Sequence, residues 1–232
     1  MPKARSVAWL ALAATCWAAA GAHAEPSSAG AAGLDLDVRL AFIEHQLDSG
    51  RLRSQAWQYG WMSVDAVGLG LGSYQAAVAG DAGQRATGIV DATKSALDLL
   101  NLTLLPLPGL HGADPIRALP SDTPEQRQAQ LDAAERLLSL DAAHATEQRS
   151  LIEHIGNVGI NVFGGAVILG FGDPRDALID AATGIAMGEL MIFTAPWAPV
   201  ASLAAYRSRF GGLATAMQIR PWPGGLEVAF RF

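Results

Sequence analysis

The stretch Gly164–Pro199, GGAVILGFGDPRDALIDAATGIAMGELMIFTAPWAP, decides the reading of this chain. Two apolar runs flank Gly172-Asp173-Pro174-Arg175. Glycine ends one helix and Asp-Pro opens the next, so the stretch reads as a helical hairpin. Gly72–Pro108, GSYQAAVAGDAGQRATGIVDATKSALDLLNLTLLPLP, follows the same pattern. Gly80-Asp81 matches Gly172-Asp173, Val90-Asp91-Ala92 matches Ile179-Asp180-Ala181, and Leu105-Pro106 matches Ala195-Pro196. Upstream, Leu47-Asp48 lines up with Leu140-Asp141, and Gln55 with Gln148. Such self-similarity indicates one supersecondary unit present twice.

Each unit reads in three parts. An amphipathic helix leads, about 35–49 in the first unit and 124–142 in the second. In the second, Ser121, Asp122 and Thr123 offer N-caps, Pro124 suits the first turn and Glu125 complements the helix dipole. Leu131, Ala134, Leu137, Leu138 and Ala142 then recur at helical spacing. Two long apolar stretches follow in each unit, 57–79 with roughly 87–105, and 151–171 with roughly 177–195. The C-terminus differs: Leu226, Val228, Phe230 and Phe232 alternate with Glu227, Ala229 and Arg231 after the turn Pro223-Gly224-Gly225. The expected fold class is therefore all-α. It is a duplicated helical-hairpin bundle of four long apolar helices plus two amphipathic helices, with a short C-terminal β-hairpin. A transmembrane barrel needs about eight strands or more and is excluded. The expected organisation is a signal peptide at 1–24, a flexible segment at 25–34, repeat unit one at 35–110, a linker at 111–123, repeat unit two at 124–200 and a tail at 201–232.

The first 24 residues have the three parts of a cleavable export signal in order. Lys3 and Arg5 supply the charge, Val7–Ala20 is apolar, and Ala22-His23-Ala24 is the small-x-small cleavage site. Cys16, the chain's single cysteine, lies inside that signal, so the mature protein is expected to hold no disulfide and no thiolate metal site. The Ala-rich signal and the arginine bias suit a bacterial envelope.

Half of the residues are hydrophobic and 16% are charged, against about 25% in typical soluble domains. The net charge is -6; loss of the signal leaves 14 basic and 22 acidic side chains, a net of -8. An acidic chain gains nothing from counterion release, which excludes nucleic acid as a partner.

Length and glycine content point to lipid. At about 1.5 Å per residue, 57–79 reaches roughly 34 Å, enough for the hydrocarbon core. Gly68-x-x-x-Gly72 and Gly184-x-x-x-Gly188 have the spacing that lets helix backbones approach in a membrane. Trp57, Tyr59, Trp61, Phe193 and Trp197 fall at one level of the hairpins, as an interfacial girdle would. Two features oppose simple insertion. Asp91, Lys94, Asp98, Asp180 and Glu189 lie in the second apolar helices, and a charge at the bilayer centre costs about 2.5–3.5 kcal/mol on insertion scales. These five must face the bundle interior if the helices span. Export would also leave only Arg85 and Arg175 on the cytoplasmic side, against the positive-inside rule.

His154, Asn157 and Asn161 share one helix face and read as a polar seam, with interhelical hydrogen bonding the ordinary use of such residues. Asp91 and Asp180 stand at matched positions of the two units. No zinc-protease, nucleophile-elbow, phosphate-loop or dinucleotide motif is present, so no catalytic residue, metal ligand or cofactor is nominated. The expected function is that of a non-enzymatic membrane protein of the bacterial envelope with a structural or association role. Its expected partners are membrane lipid and either itself or another envelope protein. Two alternatives remain: an ion-handling, transporter-like bundle, and a soluble periplasmic bundle that binds an apolar ligand.

Overall fold

A computed structural model describes residues 28–211, with side chains from 35 onward, and the backbone of 217–222 and 225–230. The export signal expected at 1–24 lies outside the described residues. The body is built of helices: α1 (Ser28–Val78), α2 (Ala82–Leu104), a 3-10 turn at Pro108–His111, α3 (Asp114–Arg117), α4 (Pro124–Glu147), α5 (Leu151–Leu169), α6 (Pro174–Thr194) and α7 (Ala198–Phe210).

The local start signals act as the sequence suggests. Asp81 caps α2 by accepting from the Gln84 N–H, and Asp173 caps α6 by accepting from the Arg175 N–H. Thr123 and Gln126 form a reciprocal capping box at the head of α4, with Pro124 in its first turn. Ser150 caps α5.

Two corrections concern the fold. First, the amphipathic helix at 35–49 and the apolar stretch at 57–79 are one continuous 51-residue helix, α1. Gly50 does not break it, because an interior glycine costs only about 1 kcal/mol and no proline follows to remove an amide donor. Tertiary contacts hold the junction: Gln55 donates to the Leu110 carbonyl, and Gln58 donates to the Leu102 carbonyl while accepting from the Leu107 N–H. Second, the fold is all-α alone. The C-terminal β-hairpin expected to complete it is not part of the helical body. No side chain beyond Gly211 is described, and the backbone ladder of 217–222 with 225–230 joins only those two segments.

The helices form two regions. The head joins the first half of α1 to α3, α4 and α7 around Leu40, Ile43, Leu47, Ala113, Ile116, Leu131, Leu138 and Tyr206. Arg39 donates to the Tyr206 hydroxyl and pairs with Glu135, tying α1, α4 and α7 together. Gly112, at φ 58°, turns the chain between the 3-10 turn and α3 beside Asp48, a conformation glycine adopts at little cost.

The second region is a four-helix bundle of two hairpins, α1 with α2 and α5 with α6. Its small residues sit where backbones meet. A Cβ on Gly72 would lie 2.6 Å from the Ala92 nitrogen, and one on Gly88 2.5 Å from the Ala76 nitrogen. Gly83 and Gly172 touch where the hairpin tips meet. At the head end, Trp57 Nε1 donates to the Met191 carbonyl and Trp61 Nε1 to Thr194 Oγ1, each at 3.2 Å, so the tryptophans bridge the hairpins. Arg149 stacks on Trp197, and Phe193 lies against His154.

The bundle is apolar outside. Leu71, Tyr74, Leu104, Phe163, Leu178 and Phe193 are all exposed. Two stretches, Leu151–Leu169 and Pro174–Phe210, are long and apolar enough to cross a membrane. Only 22% and 6% of their apolar windows are buried, so neither is the enclosed core helix of a globule.

Candidate functional site

Inside the bundle the polarity is reversed. On α2, Asp91, Lys94, Asp98 and Leu102 recur at helical spacing on one stripe, from which Lys94 reaches the second hairpin. On α5 the stripe is His154, Asn157 and Asn161; on α6 it is Asp180, Gly184, Gly188 and Glu189.

These residues meet in one chain of contacts. Lys94 Nζ lies 3.1 Å from both Asp180 carboxylate oxygens and 3.3 Å from Asp91 Oδ1. It also donates to Asn161 Oδ1 at 3.4 Å. Asn161 Nδ2 donates to Asn157 Oδ1 at 2.9 Å, and Asn157 Nδ2 donates to Glu189 Oε1 at 3.0 Å. Glu189 Oε2 lies 2.7 Å from His154 Nδ1. A carboxylate only accepts, so His154 Nδ1 carries the hydrogen. The seam thus runs from the middle of the bundle to its head end through seven side chains.

Gly184 and Gly188 make room for it. A Cβ on Gly184 would overlap the Asn161 amide oxygen, and one on Gly188 would overlap that of Asn157. The Asn-x-x-x-Asn of α5 therefore seats on the Gly-x-x-x-Gly of α6, one turn to one turn. Gly68 and Gly72 serve the other hairpin, against Ser95 and Ala92 of α2.

The chemistry of this chain is directional. Each asparagine amide accepts from the Lys94 side and donates toward Glu189. An amide offers no readily exchanged proton site, so these side chains alone do not form a proton wire. They do neutralise buried charge: Lys94 is 17% exposed and Asp180 7%, and each has the other as partner.

Of the residues singled out by sequence, the structure joins Asp91, Lys94, Asp180, Glu189, His154, Asn157 and Asn161. Asp98 makes no hydrogen bond or ion pair to the seam; it stays exposed, although it lies on the same stripe as buried Leu102. Sequence reasoning passed over Asp65 and Gln58 on α1. Asp65 is buried, and its Oδ2 has no hydrogen-bond partner. Its signal was present, as the single formal charge in 57–79, but nothing local says which way it faces. Among the described residues no three His, Cys, Asp or Glu side chains are grouped to hold a metal ion. No protein-family model, curated protein or solved structure matches this chain.

Proposed function

We propose that this chain is a non-enzymatic membrane protein of the bacterial envelope, exported through residues 1–24 and inserted through its four-helix bundle, with the head on one membrane face. The observation that carries the reading is the inverted bundle, whose polar side chains face inward and whose large apolar side chains face outward. In water such an exterior is a broad aggregating surface; in lipid it is at equilibrium, and inside the bundle Lys94 is paired with Asp91 and Asp180. Helices α5 and α6, at about 28 and 31 Å, match the hydrocarbon thickness. The tryptophans at the head end suit the interface.

Its role is structural or associative. The seam specifies which faces of α2, α5 and α6 meet, a use to which interhelical hydrogen bonds suit themselves in a bilayer. The ion-handling reading draws on one specific observation, the placement of Asp91 and Asp180 on a single lysine.

Alkaline carbonate extraction of envelope membranes tests insertion, and the protein is expected to stay in the pellet. Because the mature chain has no cysteine, single substitutions Leu71→Cys and Phe163→Cys refine the test. Both should resist a water-soluble maleimide in intact membranes, while Asp122→Cys in the head should react. Release by carbonate, or equal labelling at all three sites, would overturn the proposal.

A further inference from the structure

The geometry points to a sodium site in the head, where the Asp141 carboxylate, the Ser54 and Ser202 hydroxyls and the Gln46 amide border one small cavity. The inference goes beyond the proposed function and does not depend on membrane insertion.

The cavity lies where α1, the 3-10 turn, α4 and α7 meet. Its volume is about 10 Å³, room for one water-sized occupant. Gly50 and Gly109 form part of its wall, and a Cβ on Gly50 would meet no atom within 4 Å. A Cβ on Gly109 would stand 2.5 Å from Asp141 Oδ2, so this glycine lets the backbone close on the carboxylate.

Two groups at the cavity lack what burial requires. Ser54 is 3% exposed, and its hydroxyl has no hydrogen-bond partner among the described residues. Asp141 is 8% exposed and accepts one hydrogen bond, from the Gly109 N–H at 3.1 Å. A carboxylate offers about four acceptor sites, and among the described residues no cationic side chain pairs with this one. An ionised acid in that condition is costly unless a cation meets it.

The neighbouring oxygens suit a cation. Ser202 Oγ donates to Gln46 Oε1 at 2.9 Å. That bond holds both oxygens in place and leaves each with a lone pair to give. An acid, two hydroxyls and an amide oxygen are hard donors, which bind hard cations. One carboxylate balances one positive charge, so the occupant is monovalent. Calcium takes about six to eight oxygens, and among the described residues no three acidic, cysteine or histidine side chains are grouped to hold a metal ion. A water molecule would satisfy the Ser54 hydroxyl but leave the charge. A proton would remove the charge but leave the cavity. A sodium ion answers both, and it ties α1, α4 and α7 together through a side chain from each.

Thermal unfolding of the purified full chain in a nonionic detergent tests this at pH 8, in sodium chloride against choline chloride at equal ionic strength. Sodium is expected to raise the midpoint by about 2–4 °C, with a response that saturates. Asp141→Asn keeps an oxygen for the Gly109 N–H and should lose the response, and Ser54→Ala should weaken it. Asp132→Asn, at an exposed acid of α4, should retain it. Circular dichroism establishes that each variant keeps its helices; should Asp141→Asn lose them, Ser54→Ala and the wild-type comparison decide. Equal midpoints in the two salts would assign the cavity to water or to a proton on Asp141 and overturn the proposal. A sodium response undiminished in Asp141→Asn overturns it as well.

Discussion

Gly184 of α6 lies directly beneath Asn161 of α5, so close that a single added methyl group would overlap the amide oxygen that receives Lys94. Gly188 stands in the same relation to Asn157 one turn away. Helix packing and the polar seam are thus one feature of the bundle, since the glycines admit the side chains that the ion pair needs.

Gly184→Ala should therefore cost about 1–3 kcal/mol, as overpacking of a close interface does. Combining it with Asn161→Ala should cost less than the sum of the two single changes, because the clash partner is gone. Gly156→Ala, whose Cβ would meet nothing within 4 Å, should be neutral or stabilising by up to about 1 kcal/mol. Thermal unfolding in detergent reads all four, and equal losses at Gly184 and Gly156 would refute the seating.

The lysine matters more than either acid. Lys94→Met leaves Asp91 and Asp180 facing each other without their cation, and breaking a buried pair in this way costs roughly 3–5 kcal/mol. Asp180→Asn leaves Lys94 with Asp91 and Asn161 and should cost less. Adding Asp180→Leu to Lys94→Met should recover part of the loss. A Lys94→Met protein as stable as wild type would show that the ion pair holds nothing.

Burial pushes Asp141 in the head up to about 6, opposed by the Gly109 N–H that it accepts at 3.1 Å. The folded value exceeds the unfolded one of about 3.9. Folding therefore favours the protonated acid, and stability falls as pH rises from about 4 to about 6. Asp141→Asn keeps an oxygen for Gly109 and removes the charge. It should gain about 1–3 kcal/mol above pH 6 and flatten the profile between those values. Denaturant unfolding across that range checks it, and an unchanged slope would remove Asp141 as its source.

The head core should behave as an ordinary apolar core. Ile43, fully buried, should cost about 2–5 kcal/mol on truncation to Ala. Ile152, exposed on the outer face of α5, should change stability by no more than about 0.5 kcal/mol in micelles. Comparable losses at both would mean that the outer face of α5 is covered.

Much of the helical layout was legible because its signals are local. Asp81, Asp173, Thr123 and Ser150 cap helices through bonds to residues two or three positions away. One boundary that misled was Gly50, where the head and bundle contacts of Gln55 and Gln58 outweigh a propensity cost of about 1 kcal/mol. The polar residues of α5 were also legible as one face, since helical spacing alone puts His154, Asn157 and Asn161 together.

The partners of those faces were not legible. Sequence by itself determined that this chain is helical, where most of its helices begin, and that charges occur within apolar runs. Only the tertiary structure decided that Lys94 gathers Asp91 and Asp180, that two glycines hold two asparagines, and that Asp65 is buried. Caps and periodicity act within a turn or two of one helix. Register and facing depend on contacts between residues tens of positions apart, and those exist only once the hairpins have packed.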